Sequence, residues 1–102
     1  MKLLDAIFLV GQMPEGSCIC SRRPFHQSAE AVITGLTSEH RVPASTLADG
    51  YEYFLEQNGV LELLEFASTK RASRETKAEL VVHYAQNDAY PAWFYDLPDE
   101  IH

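Results

Sequence analysis

SRETKAELVVHYAQNDAYPAWFYD, Ser73 to Asp96, joins the clearest helix of the chain to its densest run of aromatic residues. Ser73 is an N-cap by type, because its hydroxyl accepts from the free N–H groups of a first turn and Glu75 then follows at the positive end of the dipole. Ala78, Val81, Val82, Ala85 and Ala89 recur at helical spacing and lay a narrow stripe along one face, against which a neighbour packs closely. Pro91 has no N–H and pushes Tyr90 out of the α region, so the spacing predicts a helix that stops between Asp88 and Tyr90. Trp93, Phe94 and Tyr95 follow in a short tail flanked by acids, too small to bury every ring. Trp93 and Phe94 are expected to close the base of the core, with Tyr90 and Tyr95 outside it.

Upstream of this helix, Val60, Leu61, Leu63, Leu64, Phe66 and Ala67 form a second, strongly apolar helix. Burying five or six such side chains contributes on the order of 10 kcal/mol before conformational entropy is subtracted. Tyr51, Phe54 and Leu55 fit a turn or two of a separate helix, ended by Asn58-Gly59, residues that tolerate the left-handed conformation. Further back, Ser17-Cys18-Ile19-Cys20-Ser21 alternates with period two as a half-buried strand does, and Arg22-Arg23-Pro24 ends it. Glu30–Thr37 is rich in β-branched residues and predicts a second strand antiparallel to the first, with a third placed around Arg41–Pro43. Leu3, Leu4, Ile7 and Phe8 repeat as one face of a first helix ending near Gly11 and the Met13-Pro14 break. The expected fold is therefore α+β: a small antiparallel sheet of two or three strands against three or four helices.

At 102 residues and 46% apolar composition, the chain suits one domain with a core able to fold without disulfides or a structural metal. Asp5 interrupts the apolar start and no small-residue cleavage site follows, so a core helix is expected there rather than a targeting segment. No stretch approaches the roughly 20 apolar residues of a membrane span. Cys18 and Cys20, two apart on an extended backbone, are poorly placed for a bridge to each other; reduced thiols and a cytosolic compartment are expected.

The net charge of −7 is unevenly spread. Through Ala48, Asp5, Glu15, Glu30 and Glu39 are balanced by Lys2, Arg22, Arg23 and Arg41; from Asp49 onward eleven acids face only Lys70, Arg71, Arg74 and Lys77. Such a surface opposes direct nucleic-acid binding, which needs basic groups against phosphate. It suits a basic protein partner, whose association an acidic face accelerates. The plainer alternative is a solvated surface that keeps a small protein soluble.

No catalytic or cofactor motif is present: there is no GxSxG, P-loop or GxGxxG, and His26, His40, His83 and His102 form neither HExxH nor HxH. A CxC with a distant histidine is weak evidence for a closed zinc site, and no metal or cofactor is expected. His83, between Val82 and Tyr84, reads as a satisfied, half-buried histidine in preference to a base. Cys20 with His26 is a nucleophile and base pair in principle, though closeness in sequence does not give the geometry, and it is the basis of a less favoured reading as a small thiol-dependent enzyme.

Gln57-Asn58-Gly59-Val60 leads into a Leu-rich helix, and a Ser-capped helix then ends in Gln86-Asn87-Asp88-Ala89-Tyr90. This arrangement resembles a group of small acidic bacterial proteins found beside contact-dependent growth inhibition toxins, the immunity proteins of those systems. The likeness covers roughly Tyr51–Tyr90, with the two strands before it similar only in pattern; the Tyr90–Tyr95 tail and the two cysteines depart from the group. What the resemblance implies is a non-enzymatic inhibitor that binds a cognate basic toxin domain in the cytosol. The toxin is expected to be a nuclease, whose phosphate-attracting site an acidic protein can occupy. A cytosolic adaptor or regulator without a toxin partner is the alternative. Tyrosine and tryptophan are favoured interface anchors, so the candidate partner-binding residues are Asp88, Tyr90, Tyr95, Asp96, Asp99 and Glu100.

Overall fold

Ser17–Ser21 (β1) occupies the middle of a three-stranded antiparallel sheet, between Ala31–Gly35 (β2) and Glu52–Glu56 (β3). The computed structural model describes residues 1–100, so His102 lies outside the described residues. Four helices complete the α+β fold: Leu3–Leu9 (α1), Ala44–Ala48 (α2), Gln57–Ala67 (α3) and Arg74–Asn87 (α4), with 3₁₀ turns at Val10–Gln12 and Ala92–Asp96. None of these helices is long and apolar enough to cross a membrane.

The middle position changes what β1 does with its alternating sequence. All five of its residues are buried, rather than every second one, because it has a neighbour on each edge and cover on both faces. Ile19 joins the main core with Leu3, Ile7, Val10, Phe25, Phe54, Val60, Leu63 and Val81. Its hydroxyl-bearing ends are satisfied locally: Ser17 Oγ donates to the Pro14 carbonyl at 2.6 Å and Ser21 Oγ to the Arg22 carbonyl at 3.0 Å.

The third strand is not at Arg41–Pro43 but at Glu52–Glu56, where a helix was expected. Tyr53, Phe54 and Leu55 suit a pleated surface as well as a helical one, and the vacant edge of β1 decides between them. The β1–β3 register skips Phe54, a bulge that leaves its ring free to pack edge-on against Phe25 with centroids 5.1 Å apart. Asn58-Gly59 accordingly lies in the first turns of α3 and terminates nothing. Gly50 enters β3 with φ +90°, and a Cβ there would stand 2.6 Å from the Arg22 guanidinium, itself stacked over Tyr51.

Helix α3 buries Gln57, Val60, Leu63 and Ala67, while Leu61 lies outside, over Gly11. The polar Gln57 is buried because it serves the backbone. Its Nε2 donates to the carbonyls of Val10 at 2.9 Å and Met13 at 2.8 Å, closing the end of the first helical segment.

In α4 the Ser73 hydroxyl accepts from Thr76 N at 3.1 Å, as its type dictates. The helix ends at Asn87, with Asp88 in the left-handed conformation (φ 53°) returning its N–H to the Tyr84 carbonyl. Ala78, Val81 and Val82 form the buried stripe. Ala85 is half-buried, and Ala89 falls beyond the helix and is exposed. The stripe also omits Leu80, which is fully buried on another side of the helix, against Ala67 and Phe94. Helix α4 is thus covered on two sides, by the main core and by the C-terminal tail.

Candidate interaction surface

The surface is built by three residues of a tight helix. At about three residues per turn, successive side chains of a 3₁₀ helix point roughly 120° apart, so Trp93, Phe94 and Tyr95 cannot share a side. Phe94 turns inward and is 2% exposed, packed with Ala67 and Leu80. Tyr95 turns outward at 61% exposure, its ring edge-on to Phe94 with centroids 5.8 Å apart. Trp93 is half-buried and lines an open cavity with Gln27, Glu75, Thr76 and Glu79. The expectation that Phe94 closes the core holds; Trp93 does so only in part.

Tyr90 stands just before this turn and is 39% exposed. Its ring lies 4.5 Å from Phe66 and 5.3 Å from Tyr84, and it lines a smaller cavity with Leu55, Gly59, Glu62, Leu63 and Tyr84. One face of Tyr90 is therefore committed to packing, while Tyr95 has only an edge contact.

The candidate acids separate in the same way. Asp88, Asp96, Asp99 and Glu100 are all exposed. Asp96 closes the 3₁₀ turn next to Tyr95, and Asp88 occupies the C-cap of α4. Asp99 is engaged: its carboxylate accepts from Lys70 Nζ at 2.7 Å, and the Lys70 side chain is only 16% exposed. The surrounding backbone is fixed by Arg71 N–H donating to the Pro98 carbonyl at 2.7 Å and Glu100 N–H to the Thr69 carbonyl at 3.0 Å. Space thus brings one cation to a run that holds none in sequence, and Asp96 with Tyr95 forms the unencumbered part of the surface.

The groups weighed for chemistry sit elsewhere. Cys18 and Cys20 share one face of β1 with their sulfurs 3.9 Å apart, hydrogen-bonded and with no disulfide between them, and both are fully buried. Their cross-strand neighbours are Thr34 and Glu56 for Cys18, and Val32 and Tyr53 for Cys20. The hydrogen bond between them holds the Cys18 thiol below its ordinary range against the opposing effect of burial, and pushes the Cys20 thiol well above it, with burial adding to the rise. Cys20 is fully buried, with no surface open to a substrate. His26 is bonded to Ser28 Oγ at 2.8 Å instead of to a thiol. His83 Nδ1 donates to the Ala89 carbonyl at 3.1 Å, the satisfied role its position implies. Among the described residues no three His, Cys, Asp or Glu side chains converge to hold a metal.

Sequence reasoning gave Gln27 and Glu79 no role and Glu75 only that of an acid in the first turn of α4. Glu75 and Glu79 carry a readable signal, an i,i+4 pair of acids on one helix face. Gln27 carries none, since its place beside α4 comes from the loop between β1 and β2. Compared with models of known families, with curated proteins and with solved structures, the chain matches none of them.

Proposed function

We propose that this protein acts by binding, as an immunity-type inhibitor that neutralises a basic toxin domain in the cytosol through an acidic and aromatic surface. The observation that carries the reading is Tyr95, a large ring 61% exposed beside the exposed carboxylate of Asp96. An exposed Tyr is favoured as an anchor because it buries much area with few rotatable bonds and keeps a hydroxyl for the partner. The excess of acids in the second half supplies long-range attraction to a basic surface such as a nuclease site. The complete burial of Cys20 and the engagement of His26 with Ser28 speak against catalysis. The resemblance of Tyr51–Tyr90 to growth-inhibition immunity proteins supplies the partner class.

The test begins with the reading frame directly upstream. Its product is expected to be a toxin whose C-terminal domain binds this chain and is neutralised by it. Raising salt from about 0.05 to about 0.5 M is expected to slow association markedly and to change dissociation less. In calorimetric titrations, Tyr95→Ala and Asp96→Lys are each expected to weaken binding by roughly 1–4 kcal/mol, and Arg22→Ala and Glu30→Ala to change it little. Toxicity that persists in the presence of the chain, or binding abolished by the Arg22 and Glu30 changes while Tyr95 and Asp96 are silent, overturns the reading.

A further inference from the structure

Beside Tyr95, on the other side of the 3₁₀ turn, the cavity lined by Trp93 has a volume of ≈360 Å³ and carries two carboxylates, Glu75 and Glu79, with Gln27 and Thr76. Gln27 Nε2 donates to the Glu75 backbone carbonyl and to Glu79 Oε2, each at 2.9 Å. Both of those partners only accept, so they fix the orientation of the carboxamide: the opposite flip would set its oxygen against two other oxygens. The two amide hydrogens of Gln27 are consequently engaged by helix α4, leaving its oxygen as the group available to a ligand. Glu79 retains Oε1 and Glu75 its whole carboxylate, and neither has an ion-pair partner within 4.0 Å among the described residues. The basic residues of the same helix are turned away. Arg74 lies about 100° from Glu75 around the axis, where it stacks on Phe8 and reaches Asp5, and Lys77 lies about 160° from Glu79.

An open site that sets two carboxylates without ion-pair partners beside an indole ring suits a flat cation. We infer that this cavity receives an arginine side chain of the basic partner, with the guanidinium on the Trp93 ring and its N–H groups toward Glu79, Glu75 and the Gln27 oxygen. Guanidinium is the better match than ammonium because it stacks on an indole and presents several donors in one plane. The N-terminal dipole of α4 offsets part of the Glu75 charge, so Glu79, a turn further along, carries the larger share. This inference rests on the binding role proposed above and adds the identity of the group recognised.

The experiment uses the intact chain and no partner. Trp93 is the only tryptophan, so its fluorescence and its indole N–H resonance report this cavity alone. Titration with N-acetyl-arginine amide is expected to give a saturable change with half-saturation on the order of 1–10 mM. The citrulline analogue, uncharged and of the same shape, is expected to bind at least about fivefold more weakly, and the lysine analogue to fall between them. Glu79→Gln keeps an acceptor for Gln27 and is expected to weaken the arginine response at least about fivefold, with Glu75→Gln weaker in effect and Glu39→Gln, far from the cavity, silent. Circular dichroism of each variant ensures that lost binding is not lost structure. Equal responses to the arginine and citrulline probes, or a folded Glu79→Gln protein that responds as the parent does, overturn the assignment. Such a result leaves the binding role intact if Tyr95→Ala and Asp96→Lys still weaken the partner complex. Loss of that dependence with a normal arginine response instead removes the role and keeps the cavity.

Discussion

Strand β1 and the turn Ala92–Asp96 are both five residues long, yet the strand hides all of its side chains and the turn sends Phe94 in, Trp93 into a cavity and Ala92, Tyr95 and Asp96 out. Position in the fold decides the strand, since β1 has a neighbour on each edge and is covered on both faces, so its alternation does not separate inside from outside. Local pitch decides the turn, since three residues per turn forbid neighbouring rings from sharing a surface. Chemistry placed on the first kind of element is shielded, as the two thiols are, whereas on the second it is displayed. The candidate function follows the displayed groups.

The sharpest test of this contrast is stability. Phe94→Ala and Ile19→Ala remove fully buried side chains, one from each element, and are expected to cost about 3–5 and about 2–5 kcal/mol in denaturant unfolding. Tyr95→Ala, one position from Phe94, is expected to cost less than about 1 kcal/mol because its ring has only an edge contact. A Phe94 variant as mild as the Tyr95 variant would mean that the tail does not seal α4. A smaller effect is expected from Ser73→Ala, about 1 kcal/mol, through loss of the acceptor for Thr76 N–H. That change should leave the tail's exposure to proteolysis as it was, because the tail is held by Phe94 and by its pairing with Thr69–Arg71.

What was legible in the sequence was what short range determines. The Ser73 cap, the helix end near Asp88 and the strand at Ser17–Ser21 depend on residues within a few positions of one another. The α+β class follows from those elements. The identity of the third strand was not legible, because YEYFLE satisfies both periodicities and only the open edge of β1 selects between them. Leu80 was missed for a related reason: a single-stripe reading assumes one buried face, and α4 has a second one supplied by its own downstream tail. Within the candidate site, the division between Trp93, Phe94 and Tyr95 was visible only as a statement that not all three rings fit inside. Asp99 is indistinguishable from Asp96 in sequence, because the Lys70 that holds it lies 29 residues earlier.

The mildest prediction concerns the shielded element. The Cys20 thiol is held well above its ordinary 9.0 by the hydrogen bond to Cys18, by burial and by the Cys18 charge, and Tyr53 beside it is held above 10.0 by burial and by Glu56. A raised pKa means that the folded state keeps a proton the unfolded chain gives up. Its contribution is therefore complete below the unfolded value and is lost as pH rises beyond it, here from about pH 9 for Cys20 and about pH 10 for Tyr53. Cys18, lowered mainly by the same hydrogen bond, has the opposite sign and adds stability as pH rises toward 9. The melting temperature, measured under reducing conditions, is expected to fall between about pH 9 and about pH 11. The double variant Cys18→Ser, Cys20→Ala is expected to start lower and fall less, keeping only the Tyr53 part. Binding of the partner by that variant near neutral pH is expected to stay within about threefold of the parent, since both thiols are enclosed and out of a partner's reach. An unchanged alkaline fall in the double variant would detach the thiol pair from the pH response, and lost binding with the fold intact would mean that the enclosed strand carries function after all.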